Sequence, residues 1–250
     1  MAVNYERTGA IAILTIDRPE RRNAVDGATA ELLRARYHEF AADDGARVLV
    51  VTGAGGQAFC AGADLKAMSN PVGDSDGPMG FTRLQSPKPT IAAIDGWCVA
   101  GGLEIACWCD IRIAGEASQL GCLERRWGVP LIDGGTQRLP RIVGLGRALD
   151  LVLSGRVVGA GDALAMGLVS RVVPAGGALA AAVELAEQIA AFPWPCVIAD
   201  RQAMYEGFDK TLAEGIANEA VVGRAVVGDA QSGAMRFASG EGRGGKFKSP

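Results

Sequence analysis

Two short stretches, FCAGADLK at residues 59–66 and GWCVAGGLEIACWCD at residues 96–110, each set a glycine-rich loop behind an apolar, β-prone run. The runs are RVLVVTG at 47–53 and TIAAIDG at 90–96, so each loop is expected to leave the end of a strand and open a helix, where backbone N–H groups point outward. Two such donors aimed at one atom stabilise an oxyanion as it develops, without reorganising. A thioester calls for this arrangement, because its carbonyl oxygen gains charge when a proton leaves Cα or a nucleophile adds at Cβ. Histidine-based machinery is not in view: the single histidine, His38, lies in a helical stretch beside Tyr37 and Glu39 with no partner constellation, and reads as structural or exposed.

Composition narrows the classes. With 250 residues the chain can bury a full core in one large domain or a domain with an appendage, and its 35 glycines point to tight turns and close backbone approaches. A net charge of -3 argues against a nucleic-acid-binding face, which needs clustered Lys and Arg. Cys60, Cys98, Cys107, Cys109, Cys122 and Cys196 form no C-x-x-C pair and have no ligand-like spacing with His38, so they read as small buried residues and no metal site is expected. The start MAVNYERTGAIAI lacks a signal-peptide pattern, and no apolar run approaches the ~20 residues of a membrane span. A cytoplasmic protein that binds no membrane is the expectation. The string TGAGGQA at 52–58 follows a strand but has the wrong glycine spacing for a dinucleotide fingerprint. Trp97, Trp108 and Trp127 read as core or pocket-wall residues, since no basic residues interleave them as stacking platforms require.

The elements that must position the two loops follow from hydrophobic periodicity. A strand is expected over 11–17, then a helix over 27–42 with Asp26 as N-cap and Leu33, Tyr37 and Phe40 on one face. Strands follow at 47–52, 90–95 and 110–114, with a short helix after the first loop and a helix at 101–108 after the second. The segment 69–88, rich in Pro, Gly, Ser and Asp, reads as a mobile loop over a site. Residues 144–173 read helix, turn, short helix, strand, and ALAAAVELAEQIA at 178–190 puts Leu179, Val183, Ala186 and Ile189 on one helical face. The FPWPC break at 192–196 precedes more helical sequence to about 238, so the chain divides into 1–192 and 193–250, and the tail 240–250 reads as a loose terminus.

Alongside the two loops stand RPERRNA at 18–24 and GGTQRLPRIVGLGRALDLVLSGRVVGAGDALAMGLVSRVV at 134–173. Together, and in this order, they make the chain resemble the crotonase (enoyl-CoA hydratase/isomerase) superfamily over residues 5–240. The resemblance implies an α/β fold, a spiral of strand-strand-helix repeats with a C-terminal helical region that assembles homotrimers, commonly paired into homohexamers. It implies an acyl-CoA thioester substrate that carries its own coenzyme A, with no separate cofactor. It puts the oxyanion donors on the N–H groups of Ala63 and Gly101, and the substrate-binding set on Arg22, Ala24, Ala61, Ala63, Asp64, Leu65, Lys66, Gly101 and Phe237. Within that set, 63–66 meets the adenine mainly through backbone groups. Arg21 and Arg22 stand where the family carries bases near the phosphates, a solvated charge run being the alternative. Phe237 would reach the adenine of a neighbouring subunit, while Gly240 replaces the lysine the family has three positions later.

Hydratases of the family use two glutamates, the first three residues after the oxyanion glycine and the second twenty further on. Here these are Glu104 and Glu124. Adding water across a conjugated double bond needs one group to take a proton and one to give one, and two carboxyls flanking one water can share both tasks. The alternative for Glu104 is a helix-start carboxylate stabilised by the dipole. For Glu124, in GCLERRWGVPLIDGG, it is an ion pair with Arg125 or Arg126. Asp133 is the third catalytic candidate: dienoyl-CoA isomerases place an aspartate two residues ahead of their Gly-Thr, where it could move a proton at the far end of a conjugated chain. A turn-stabilising role in IDGG is the alternative. Enoyl-CoA hydration is therefore the leading expectation, with enoyl- or dienoyl-CoA isomerisation and non-catalytic acyl-CoA binding as rivals.

Overall fold

The computed structural model describes residues 2–242. Residues 243–250, most of the tail read as a loose terminus, lie outside the described part.

The run VLVVT at 48–52 is buried at every position, the signature of a strand covered on both faces of a parallel sheet. It forms β3 (Val48–Gly53), which follows β1 (Val3–Thr8) and β2 (Ile11–Ile16) in the chain and precedes β4 (Ala58–Cys60), β5 (Thr90–Ile94) and β6 (Trp97–Val99). The remaining strands are β7 (Ile111–Gly115), β8 (Gln119–Gly121), β9 (Val158–Gly159) and β10 (Arg171–Val173). One sheet has the order β1-β2-β3-β5-β7-β10 and the other β4-β6-β8-β9. Pairing is parallel except for β1 with β2 and β8 with β9. Each turn of chain thus lays one strand in the first sheet and the next in the second: β3 then β4, β5 then β6, β7 then β8. This is the expected spiral.

The helices close the turns. α1 (Gly27–Ala42) is capped by Asp26, whose Oδ1 accepts from Thr29 N at 2.9 Å, and buries Leu33, Tyr37 and Phe40 as expected. Lys88 Nζ donates to the Phe40 and Asp43 carbonyls at its other end, a cation at the negative pole of the helix. α2 (Gly101–Trp108) follows β6, and α3 (Gly135–Val143) follows β8 after a 3-10 turn at Leu123–Trp127. No helix follows β4. Residues 65–67 form only a turn, because Asp64 directs its own carboxylate to Lys66 N and the chain reverses through Met68 at φ 46°. The expected short helix after the first loop is therefore corrected to a turn.

α4 (Leu145–Ser154), α5 (Ala160–Ala165) and α6 (Ala178–Ala191) follow. α6 buries Ala178, Ala182, Leu185, Ala186 and Ala190, while Leu179 is exposed. The helix is apolar on more than one side: of the 179/183/186/189 face Ala186 is buried and Val183 and Ile189 are half-buried, while Leu179 is turned outward. α7 (Trp194–Gly207), α8 (Leu212–Arg224) and α9 (Val227–Ala238) complete the chain, ending where helical sequence was expected to end.

Contacts group the chain into two units, one up to Ala186 and one from Glu187 on, so the division falls inside α6, ahead of the FPWPC break. The first unit holds the large core, with Phe40, Phe59, Phe81, Leu14 and Ile94 fully buried. In the second, α7 and α8 pack on each other and a capping box joins Thr211 to Glu214 at the start of α8. None of the described helices is long and apolar enough to cross a membrane.

Candidate active site

The first donor is made by a bridge rather than by a helix. Asn23, fully buried at φ 55°, donates its Nδ2 to the Ala54 and Ala58 carbonyls at 2.9 and 2.7 Å and accepts from Arg18 N at 2.9 Å. Asparagine enters the left-handed region more readily than most residues, and here it pins RPERRNA to the end of β3. Beyond it, Ala61 N donates to the Arg22 carbonyl, Val25 N to the Gly62 carbonyl and Asp64 N to the Val25 carbonyl. Val25 and Ala63 thus form an isolated parallel bridge. In such a bridge the neighbours of Ala63 make the bonds, and the Ala63 N–H has no acceptor among the described residues.

The second donor lies at a helix start. Gly101 opens α2, so its N–H is one of those without an intrahelical carbonyl. Ala100 precedes it at φ 55° and ψ -132°, a conformation that ordinarily selects glycine. The two loops touch: a Cβ on Gly62 would lie 2.8 Å from Ala100 Cβ and 2.9 Å from Gly101 N, so only glycine fits. A Cβ on Gly102 would stand 2.0 Å from the Cys60 carbonyl oxygen, and its absence lets α2 lie directly on β4. Ala63 and Gly101 therefore present unengaged N–H groups from adjoining backbone.

Glu104 lies one turn into α2 and is 4% exposed. Its Oε1 accepts from Asp133 N at 2.9 Å and from Gly135 N at 2.8 Å, leaving Oε2 without a bond to the described residues. Gly135 must be glycine, since a Cβ there would lie 2.8 Å from that oxygen. Burial, then the Asp133 charge, pushes the carboxyl up to about 8, against the two N–H bonds and with a further push from Glu124. At neutral pH Glu104 holds its proton.

Glu124, 5% exposed in the 3-10 turn, has neither carboxylate oxygen hydrogen-bonded. Burial raises its carboxyl above the usual range. The ion pair considered for it is not formed: Arg126 donates to the Gly155 carbonyl instead, and Arg125 is exposed. A buried carboxylate without a partner is costly, and such atoms call for an occupant such as water or a ligand. Trp127, expected in the core or a pocket wall, is 73% exposed, because Glu124 takes the inward face of this short turn.

Asp133 is also buried. Its Oδ1 accepts from Met79 N at 3.0 Å and from Thr82 Oγ1, and Arg138 Nη1 donates to its carbonyl at 2.9 Å. Burial raises its carboxyl, with the Thr82 and Met79 bonds and the Arg83 and Arg138 charges opposing. These bonds tie down the middle of the segment read as a mobile loop: residues 77–82 are buried, and Phe81 stacks on Tyr37 and meets Trp108 edge-on. His38 stands outside the site, 3.3 Å from Asp76 on the surface.

The substrate-binding candidates separate into two kinds. Ala24 and Asp64 are buried, and Asp64 is engaged by Arg18 at 3.1 Å. Arg18 also meets Asp26 at 2.9 Å and donates to the Ala24 carbonyl. Arg21, Arg22, Leu65 and Lys66 are exposed beside the first loop, and Ala61 is half-buried. Phe237, 64% exposed on α9, belongs to the second unit. Sequence reasoning missed Arg18, Asn23, Met79 and Thr82. Asn23 carried a signal, as a turn-favouring residue inside RPERRNA, whereas the reach of Arg18 to residue 64 had none. Five of the six cysteines are buried, and burial pushes the Cys60 thiol up to about 12 and Cys107 to about 11, so both are inert.

The chain is similar to known proteins along most of its length. Residues 6–248 match the family model described as enoyl-CoA hydratase/isomerase. The chain is 41% identical over 196 residues to an enoyl-CoA hydratase of Mycobacterium tuberculosis, covering 74% of this chain and 73% of that protein. It is 35% identical over 224 residues to a short-chain-enoyl-CoA hydratase of Clostridium acetobutylicum, covering 87% and 86%. The crystal structure of an enoyl-CoA hydratase from Mycobacterium marinum superposes with a TM-score of 0.89 at 36% identity, over 95% of this chain and 96% of that one.

Proposed function

The chain belongs to the enoyl-CoA hydratase/isomerase family of the crotonase superfamily, and on that premise we propose that it adds water across the double bond of 2-enoyl-CoA thioesters. The thioester oxygen would sit between the Ala63 and Gly101 N–H groups, which are free and fixed in place before substrate arrives. A water would lie between Glu104 and Glu124. One carboxyl protonated and one ionised is the working state of such a pair, which takes a proton from water as oxygen adds at Cβ and delivers one at Cα.

The observation that carries this reading is two buried carboxyls beside the free donors, Glu104 held by two backbone N–H groups at one oxygen and Glu124 with neither oxygen hydrogen-bonded. Loss of absorbance at the conjugated enoyl thioester band tests it, using crotonyl-CoA and a longer 2-enoyl-CoA. Turnover of both supports hydration, and no turnover with retained CoA-ester binding supports the non-catalytic alternative. Burial of Asp133 beside Glu104 favours one rival, a dienoyl-CoA isomerase. Against it, the Asp133 Oδ1 is already committed to Met79 and Thr82.

The exposed Arg21, Arg22 and Lys66 are proposed to meet the CoA phosphates, with the backbone of 63–66 against the adenine. Assembly as a homotrimer or homohexamer is part of the same reading. It is supported by the apolar side chains that α7, α8 and α9 leave exposed, among them Met204, Leu212, Ile216, Met235 and Phe237. Phe237 would then serve a neighbouring subunit's adenine site, and light scattering that gives a stable monomer at micromolar concentration would contradict the assembly.

A further inference from the structure

The segment 77–82 is built into the site rather than laid over it. Gly77 and Gly80 take φ of 105° and 98°, and a Cβ on Gly80 would lie 2.3 Å from the Ala30 carbonyl oxygen, so the turn sits directly on α1. Its inward face is Met79, 1% exposed, whose Sδ and Cε lie 3.2 Å from the point a Gly101 Cβ would occupy. The thioether therefore borders the turn that carries the second oxyanion donor. Asp133 fixes it there: one carboxylate oxygen accepts from Met79 N and Thr82 Oγ1, while the N–H of the same residue orients Glu104.

We propose that Asp133 is a positioning residue that latches Met79 against the oxyanion turn, so that Met79 walls off the acyl side of the site and restricts it to short acyl chains. The inference rests on the hydratase reading, which places the thioester at Ala63 and Gly101 and the double bond beside Glu104. From there the acyl chain would run along the Gly101 turn, against the Met79 thioether that borders it. The void beside Glu104, between α2 and α3, measures about 10 Å³, room for one water, and is closed by Leu103, Cys107, Cys122, Leu131, Gly135 and Leu139, so it gives an acyl chain no way round Met79. A long chain has to displace Met79 and break the Asp133 bonds.

Asp133 joins wall and chemistry through separate parts of itself: the carboxylate oxygen sets the wall and the negative charge helps Glu104 keep its proton. Substitutions separate the two. Asparagine retains an accepting oxygen and loses the charge, and alanine loses both.

The test titrates wild type and variants calorimetrically with saturated acyl-CoAs from C4 to C12, which reads the wall without any reaction, and follows hydration of the matching 2-enoyl-CoAs in parallel. Wild type should bind butyryl-CoA at least about tenfold more tightly than decanoyl-CoA. Met79→Ala and Asp133→Ala should bring that ratio to within about threefold. Thr82→Val, which keeps the shape of the side chain and removes one latch bond, should lower it in part and serves where Met79→Ala does not fold. Asp133→Asn should keep the wild-type length preference while the alkaline limb of its pH profile moves to lower pH. Equal wild-type affinity for short and long chains, or an unchanged ratio in both Thr82→Val and Asp133→Ala, overturns the proposal. A length preference that responds to these variants in a protein without hydration overturns the hydratase reading and leaves the wall standing.

Discussion

Glu104 and Glu124 are equally hidden, at 4% and 5% exposure, yet the regions that hold them are opposites. Around Glu104 the start of α2 and the turn before α3 close on one carboxylate oxygen with two backbone donors and a glycine that admits nothing larger. Around Glu124 a single 3-10 turn buries the carboxylate without a hydrogen bond to either oxygen, and only its own backbone and the Arg125 charge work against the burial. Burial is the largest cause raising both carboxyls, joined at Glu104 by the Asp133 and Glu124 charges, but only the first region also fixes where its group points. The difference separates a preset carboxyl from one that waits for an occupant, and a hydratase needs both, since water has to be gripped from a side the protein leaves unsatisfied.

The largest expected effects come from erasing the contrast. Glu104→Gln and Glu124→Gln should each lower crotonyl-CoA turnover at least ~100-fold, since an amide keeps the shape but exchanges no proton at neutral pH. Binding of a saturated CoA ester, followed by calorimetry, should stay near wild type. An active Glu124→Gln variant would reduce its region to packing.

A pH series sharpens the same contrast. Turnover should fall on the alkaline side as Glu104 ionises near pH 8. The sign for stability follows by linkage: the folded state holds this proton up to about 8 and the unfolded state only to the ordinary carboxyl value of 4.5, so stability falls as pH rises between those values. Glu104→Gln should flatten that dependence, with denaturant midpoints at pH 6 and pH 9 closer together than in wild type. A wild-type midpoint that does not fall over this range would contradict the raised carboxyl.

Asp133→Ala should cost hydration of crotonyl-CoA no more than about tenfold, because the residue orients Glu104 through its backbone N–H, which the substitution keeps. A loss on the order of a thousandfold, selective for a dienoyl-CoA and accompanied by little wild-type hydration, would favour the isomerase. The smallest effect belongs to Ala100→Gly. Relief of the strained backbone at φ 55°, less the entropy a glycine adds to the unfolded chain, should stabilise the protein by about 0.5–1 kcal/mol in a denaturant titration. Destabilisation would mean that the alanine packing outweighs the strain.

Much of this was legible in the residues. Strand and loop order around both glycine loops, and the helix after the second, followed from period and turn residues, and α1 and α2 have the residue ranges that their periodicity suggests. The roles expected of Ala63, Gly101, Glu104 and Glu124 came from the family resemblance rather than from spacing alone. What escaped the sequence depends on long-range closure. Ala63 gains its free N–H from a bridge to Val25, far off in sequence, so a helix was expected where a turn suffices. Periodicity also misjudged α6, where an all-round apolar helix leaves its inward face to be chosen by fit. The burial of 77–82 could not be read from a Pro, Gly and Asp-rich segment, because it depends on Asp133, some fifty residues on.

The central claim is that the two carboxyls act on one water as a unit. Single-turnover hydration of crotonyl-CoA by Glu104→Gln, Glu124→Gln and the double variant tests it most directly. Groups that share one proton-transfer step lose nearly everything with the first removal, so the account predicts that the double variant is only slightly slower than either single one. Losses that multiply, or a single variant that turns over like wild type, would contradict it.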